Sequence, residues 1–503
     1  MNIKRVKEEI KRTVAAYLEK DASGAYVMDE IHQRPVLLIG PPGIGKTAIM
    51  EQVARECKIG LVSYTITHHT RQSAIGLPYI ETKEFGGETY RVTEYTMSEI
   101  IGSIYDKMRD TGLSEGILFI DEINCVSETL APTMLQFLQA KTFGQHKVPA
   151  GWIICAAGNP VEYNRSVREF DVVTLDRVKK IEVDQDFDVW KEYAYQVGIH
   201  DSILAYLEIK KENFYRVETT VDGIFFVTAR GWEDLSQMLY AYERQGFVPD
   251  RDMIVQYVQN PQIALDFANY LELWYKYQRR YDIAGVLAGQ IPESMREAMK
   301  RAAFDERISV IGMLYGGCNA TFRDIYRGKI RMGELYQAII GFRDLMANEF
   351  LSPRELFLDV RAQKEAAYQK NRKAELLTKD EITEIEAALA TLASYAYELA
   401  EVNDNQGAYA KLRALFEEER TSYDALVKLA GEQLDHAFTF IRTCFGDGQE
   451  LVIFLTELAR GFYSMEYLNR YGNEKFFEYN KMLLFKDREA ELMEEIAAAE
   501  FIS

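Results

Sequence analysis

The chain has 503 residues, 48% of them apolar, so it has enough hydrophobic material for folded cores and global disorder is excluded. Its 59 Lys and Arg against 78 Asp and Glu give a net charge of −19, carried by both halves of the chain, which argues against a surface built chiefly to bind nucleic acid or an anionic membrane. The five cysteines form no CxxC pair and no apolar run approaches the ~20 residues that span a bilayer, so we expect a cytoplasmic protein with reduced thiols.

The chain begins with a predicted amphipathic helix and continues with short strands that alternate with helices. Ile3, Val6, Ile10 and Val14 recur at helical spacing. From residue 34 onward, four nearly continuous apolar runs are separated by helical patterns, and these runs are 36–39, 61–64, 117–120 and 152–157. Such runs are typical of a parallel sheet that is covered on both faces, in which ligands bind beyond the carboxyl ends of the strands.

Three further segments complete the predicted architecture. Residues 77–95 are expected to form a β-hairpin that turns at its central Gly-Gly pair. Residues 186–250 have the pattern of a small helical bundle, and residues 251–503 are helical almost throughout. We therefore expect an α/β core over residues 1–185, a small all-α domain over 186–250 and a mostly α-helical C-terminal region.

A glycine-rich segment after the first predicted strand matches the P-loop motif GxxxxGK[ST] and opens a predicted helix, as the motif requires. Glycines let the backbone curl so that its N–H groups face a phosphate, and the helix N-terminus adds a partial positive charge. Lys46 is expected to reach the β- and γ-phosphates of a nucleotide, and the Thr47 hydroxyl to ligate Mg²⁺. The residues predicted to bind the nucleotide are Gly40, Pro41, Pro42, Gly43, Ile44, Gly45, Lys46, Thr47 and Ala48.

Polar residues also end two later predicted strands. Asp121 is expected to join the nucleotide site and to hold Mg²⁺ through water, and Glu122 to polarise the attacking water as a general base or an orienter. An acidic pair that caps a helix is the alternative, and the preceding P-loop favours the catalytic interpretation. Asn159, in the sequence AAGNP, could hold the water or the γ-phosphate, although an ordinary Asn-Pro turn would have the same sequence.

Five motifs resemble, in order and spacing, those of AAA+ ATPases: GPPGIGKT, ILFIDEIN, AAGNP, LDR at 175–177 and TAR at 228–230. The Asp-Glu-Ile-Asn sequence and the hairpin before it are most similar to the MoxR-related and dynein-related subgroup. The resemblance covers about residues 1–250 and implies an α/β P-loop NTPase fold that hydrolyses ATP with Mg²⁺, in which residues 186–250 form the lid.

The resemblance also assigns roles to three residues. Asn159 matches the first sensor, and Arg177 matches the finger that a neighbouring subunit inserts toward the γ-phosphate. Arg230 matches the second sensor on the lid helix. Arginine suits such roles because its guanidinium stays protonated. Arg165 and Arg168 compete with Arg177 for the finger, a basic surface patch is the alternative for Arg177, and a cap or surface role is the alternative for Arg230.

The resemblance further implies a hexameric ring that remodels or activates a partner protein, or inserts a cofactor into it. A protein with a von Willebrand factor A domain is the first expected partner, and residues 251–503 would be the partner-specific adaptor. A nucleic-acid-directed motor, like the GTP-dependent restriction subunit of the dynein-related type, is one alternative, which the acidity disfavours. A nucleotide-gated scaffold that hydrolyses slowly is another, and the intact Lys46, Glu122 and Arg177 count against it. Only the resemblance favours adenine over guanine.

Overall fold

The computed structural model describes residues 1–68, 76–143, 146–163, 167–221, 223–347 and 350–482. These residues pack into two compact units. The first unit holds Met1–Val189, Thr228–Arg230 and Ala366–Thr378. The second unit holds Trp190–Val227, Gly231–Glu365 and the described residues from Lys379 onward.

Helices and strands alternate along the first unit. Its helices are α1 (Ile3–Tyr17), α2 (Lys46–Cys57), α3 (Glu99–Thr111), α4 (Ala131–Ala140) and α5 (Val172–Leu175). Its strands are β1 (Val36–Ile39), β2 (Gly60–Thr65), β3 (Pro78–Phe85), β4 (Glu88–Tyr95), β5 (Gly116–Asp121), β6 (Thr142–Phe143), β7 (His146–Lys147), β8 (Trp152–Gly158) and β9 (Lys179–Glu182). Short 3-10 turns occupy Ile66–His68 and Val161–Tyr163.

Five strands form a parallel sheet in the order β2-β5-β8-β1-β9, which confirms the predicted sheet. Successive side chains of a strand point to opposite faces, so the apolar runs supply two cores. Leu37 and Leu118 lie in a core with residues of α3 and α4. Val36 and Phe119 lie in the other core with residues of α1 and α2. The sheet is therefore buried on both faces, and β1, which lies between β8 and β9, ends where the P-loop begins.

Two predicted elements of this unit have clear physical causes. Val6, Ile10 and Val14 of α1 are buried against the sheet, as their helical spacing predicts. Over residues 77–95, β3 and β4 pair as an antiparallel hairpin, from Pro78↔Tyr95 to Phe85↔Glu88. The two glycines between them have φ of 62° and 88°, values that favour glycine and suit the tight turn.

The described residues from 187 onward are mostly helical, as expected. Its helices are α6 (Phe187–Val197), α7 (Asp201–Ile209), α8 (Ala229–Gln245), α9 (Arg251–Ile254), α10 (Pro261–Arg280), α11 (Ile283–Leu287), α12 (Glu293–Arg301), α13 (Phe304–Leu345), α14 (Pro353–Lys373), α15 (Lys379–Glu398), α16 (Asn405–Phe445), α17 (Gln449–Arg460) and α18 (Phe462–Tyr471). In the second unit, residues of α13, α14, α15 and α16 share a hydrophobic core. Within the described ranges, no helix is long and apolar enough to cross a membrane.

One expectation about this region is wrong, because residues 186–250 are not entirely helical. A 3-10 turn at Lys211–Asn213 is followed by β10 (Arg216–Thr220) and β11 (Gly223–Val227), which pair antiparallel. Their sequences, RVETT and GIFFV, are rich in β-branched and aromatic residues, which pack well in a two-stranded ladder. Gly223, with φ of 133°, lets the chain reverse between the strands.

Candidate functional site

The P-loop connects β1 to α2, and its glycines stand where a side chain would be strained or would clash. Gly43 and Gly45 have φ of 73° and 90°. A Cβ atom on Gly40 would lie 2.5 Å from the carbonyl oxygen of Val183, so the backbone there passes close to the chain that follows β9. Gly45 is the N-cap residue of α2 and offers no side-chain cap. The N–H groups of the first turn of α2 therefore lack intrahelical partners and suit a phosphate.

Lys46 lies buried at the start of α2, with 7% of its surface exposed. Its ammonium donates hydrogen bonds to the carbonyl oxygens of Gly40 and Pro41, each at 2.8 Å, and to Oδ1 of Asn159 at 3.0 Å. Burial lowers the pKa of Lys46 to about 8, and the positive charge of Arg230 lowers it further, while two carboxylates oppose the shift. The fold thus holds a cation of lowered pKa beside the P-loop backbone.

Thr47 and Asp121 bring two oxygen ligands together. The Thr47 hydroxyl donates to Oδ2 of Asp121 at 2.9 Å, which joins the start of α2 to the end of β5. Hydroxyl and carboxylate oxygens are ligands that Mg²⁺ prefers, and this pair fits the expected metal. Among the described residues, no group of three or more His, Cys, Asp and Glu could hold a metal ion. Phosphate oxygens of a bound nucleotide and water would supply the other ligands that Mg²⁺ usually takes.

Glu122 has a strained backbone and a specific side-chain partner. Its φ is 56°, a left-handed conformation that is uncommon outside glycine and is often found at functional sites. Its N–H donates to Oδ1 of Asp121 at 2.9 Å, which stabilises this turn. Its Oε2 accepts a hydrogen bond from the Thr67 hydroxyl at 2.9 Å. Thr67, which the sequence analysis missed, follows β2, the neighbour of β5 in the sheet, and that position is its only sequence signal.

Asn159 is held from behind by Asn124, a second residue that the sequence analysis missed. The Asn124 side chain donates to the Asn159 carbonyl oxygen at 2.8 Å and accepts from its N–H at 3.2 Å. Asn124 ends the ILFIDEIN motif, so its place in that motif could have indicated a role. The Asn159 side chain contacts Lys46, and the ends of β1, β5 and β8 therefore converge on one site.

The candidate arginines differ in their neighbours. A Cβ atom on Gly43 would lie 3.1 Å from Thr228 and 3.6 Å from the Cβ of Arg230, so the start of α8 adjoins the P-loop. Arg177 is exposed and its guanidinium donates to Gln139.

The two competing candidates for the finger are placed differently. Arg168 forms an exposed ion pair with Glu128 at 2.6 Å. Over the described part of the chain, the guanidinium groups of Arg168 and Arg177 form no hydrogen bond or ion pair with Lys46, Asp121 or Glu122. Arg165 lies outside the described residues.

Residues 36–175 match the family model of the ATPase family associated with various cellular activities (AAA). The match, the parallel sheet and the P-loop identify this segment as an AAA+ ATPase domain, a class that binds and hydrolyses ATP. The matched segment includes Lys46, Asp121, Glu122 and Asn159 and ends before Arg177. A search of curated proteins finds no match to the chain.

Proposed function

We propose that this protein is a MoxR-like AAA+ ATPase that forms a hexameric ring and uses Mg²⁺-dependent ATP hydrolysis to remodel or activate a partner protein, or to insert a cofactor into it. The observation that carries the proposal is the convergence of three hydrogen-bonded pairs at one edge of the sheet. These pairs are Lys46–Asn159, Thr47–Asp121 and Glu122–Thr67.

The site residues divide the chemistry of phosphoryl transfer between them. The Lys46 ammonium can exchange its present acceptors for β- and γ-phosphate oxygens, so that it neutralises charge that develops during transfer. Bound Mg²⁺ would add positive charge on the same oxygens, held through Thr47 and Asp121. The Glu122 carboxylate orients the attacking water and accepts its proton, while Asn159 holds that water or the γ-phosphate by hydrogen bonds.

The position of Arg177 supports assembly into a ring. Phosphoryl transfer benefits from a guanidinium at the γ-phosphate, and Arg177 is exposed, with no hydrogen bond or ion pair to the site residues of its own chain among the residues described. Supplied by a neighbouring subunit, it would complete the site, while Arg230 would couple the start of α8 to the bound nucleotide. Hydrolysis would then depend on assembly.

The β3–β4 hairpin and the charge of the chain support a protein partner rather than nucleic acid. Tyr79, Ile80, Phe85 and Tyr90 of the hairpin are exposed large side chains, which are common at protein contacts. A net charge of −19 opposes binding to a polyanion. A von Willebrand factor A domain protein is the partner that we would test first. We also propose a cytoplasmic location, since all five cysteines are free thiols.

Substitution of Glu122 by Gln tests the proposal. The variant should bind ATP, lose turnover by at least about a hundredfold and remain in the ATP-bound assembly, because only the base is removed. Turnover with ATP and GTP, with and without DNA, and the sedimentation coefficient with and without ATP are the measurements. Glu418→Gln, on the exposed surface of α16, is the matched control and should behave as the natural protein does.

Three results would contradict parts of this proposal. Unchanged turnover in Glu122→Gln would remove Glu122 from its assigned role. A monomer at every ATP concentration would remove the ring. Strong stimulation by DNA would favour the nucleic-acid-directed motor, whereas co-purification of a defined protein with the Glu122→Gln variant in ATP would identify the client.

A further inference from the structure

We propose that Asn124 is a positioning residue that sets the first sensor, Asn159, against Lys46, and that it acts through Asn159 alone. This inference rests on the ATP hydrolysis proposed above and adds a residue to its machinery. Asn124 touches neither Lys46 nor the oxygens of Thr47 and Asp121 among the hydrogen bonds of the described residues, so any effect on catalysis must pass through its neighbours.

The side-chain amide of Asn124 pairs with the backbone of Asn159 as another peptide group would. Its Nδ2 donates to the Asn159 carbonyl oxygen at 2.8 Å, and its Oδ1 accepts from the Asn159 N–H at 3.2 Å. Asn159 lies just beyond β8, where the ladder to β1 has ended at Ile39↔Gly158. Residue 160 is proline and has no N–H. The Asn124 side chain therefore supplies to the Asn159 backbone the hydrogen bonds that a neighbouring strand would otherwise supply.

Glycine at position 158 is what lets the amide come so close. A Cβ atom on Gly158 would lie 2.5 Å from Oδ1 of Asn124, closer than non-bonded atoms can approach. Asn124 itself is 5% exposed, so its amide has little access to water and depends on these partners. Gly158 and Asn124 are therefore closely packed. Substitution of either residue should disturb the two hydrogen bonds between the Asn124 side chain and the Asn159 backbone.

The loop that carries Asn124 is fixed on both sides. The Ile123 N–H donates to the Ala157 carbonyl oxygen at 2.9 Å, which attaches the turn after β5 to β8. The Asn124 carbonyl oxygen accepts from the Arg168 N–H at 2.9 Å. A rigid loop is a suitable support for a sensor because a displacement of about 1 Å at a catalytic group can cost a hundredfold in rate. Asn124 thus transfers the rigidity of the sheet to Asn159.

The test combines a double-mutant cycle with hydrogen exchange. Asn124→Ala should lower kcat by about ten- to a hundredfold with KM for ATP changed less than threefold, because the P-loop stays intact. Asn159→Ala should lower kcat by a similar factor. The kcat of the double variant should lie within threefold of that of Asn159→Ala. Gly158→Ala should reproduce the Asn124→Ala kinetics. Asn371→Ala, on the exposed surface of α14, is the matched control.

The proposal would be overturned if the two losses of kcat multiplied in the double variant. A tenfold rise in KM with kcat unchanged in Asn124→Ala would overturn it as well. Hydrogen exchange supplies a readout that needs no activity. The Asn159 N–H should exchange at least tenfold faster in Asn124→Ala, while the amides of Leu37 and Leu38 in β1 stay unchanged. Equal exchange at Asn159 in both proteins would refute the positioning role. A natural protein without turnover would refute the proposed function instead, and the exchange result would still decide the role of Asn124.

Discussion

As the pH rises, deprotonation of Lys46 should weaken ATP binding between pH 7 and 9, and its effect on folding should stabilise the protein between pH 8 and 10.5. Burial lowers its pKa from 10.5 to about 8 in the folded protein. About nine tenths of the side chains are then protonated at pH 7 and about one tenth at pH 9, because one pH unit from the pKa is a tenfold ratio. Only the ammonium attracts phosphates, so the affinity for ATP should fall about tenfold between pH 7 and pH 9.

The effect on stability has the opposite sign. The unfolded chain keeps the Lys46 proton up to pH 10.5, whereas the folded protein loses it near pH 8. Between these values the unfolded state binds more protons, so the free energy of unfolding contributed by Lys46 rises with pH. The shift corresponds to roughly 3 kcal/mol at full effect, a penalty that is fully present below pH 8 and relieved by pH 10.5.

Calorimetric titration with a non-hydrolysable ATP analogue at pH 7 to 9 measures the affinity. Chemical denaturation at pH 8 to 10.5 measures the stability, and Lys46→Met is the reference because it removes this one titration. Lys141, another buried lysine with a pKa of about 8, titrates in both proteins and cancels in the difference. An affinity that does not change from pH 7 to 9, or a stability difference between the two proteins that does not change with pH, would refute the reasoning.

Two further substitutions test individual contacts of the site. Thr67→Val removes the hydrogen bond to Glu122 at almost constant volume, and we expect kcat to fall about tenfold with the ATP affinity unchanged; unchanged kcat would show that Thr67 does not orient the carboxylate. Gly43→Ala forces a Cβ into φ of 73° and within 3.1 Å of Thr228, so ATP affinity measured by titration should fall at least tenfold, whereas Gly86→Ala in the hairpin turn, with φ of 62° and open space, should leave affinity unchanged. Equal affinity in both alanine variants would contradict the strain argument.

The sheet and the P-loop could be predicted from the sequence because their signals are local. Continuous apolar runs such as 117–120 indicate strands buried on both faces, and the structure confirms the parallel sheet. The all-helical expectation for 186–250 was wrong at β10 and β11. These two short segments, rich in β-branched residues, form strands because they pair with each other in the folded chain. Helical periodicity in the surrounding sequence concealed that pairing.

At the site, the sequence by itself determined the residues that belong to recognisable motifs. Lys46, Thr47, Asp121 and Glu122 follow strands at fixed spacing, so the sequence indicated both their identity and the edge of the sheet where they meet. Their geometry was decided by the tertiary structure, because the parallel sheet brings together strand ends that are far apart in the chain.

The roles of Thr67 and Asn124 at the site could be recognised only from the tertiary structure. Thr67 contacts a residue 55 positions away and Asn124 contacts one 35 positions away, and a polar residue after a strand is too common to indicate such partners. The lowered pKa of Lys46 also needed the folded structure, because its main cause is burial. The sequence thus determined which chemical groups the site contains, and packing of the sheet decided which of them support one another.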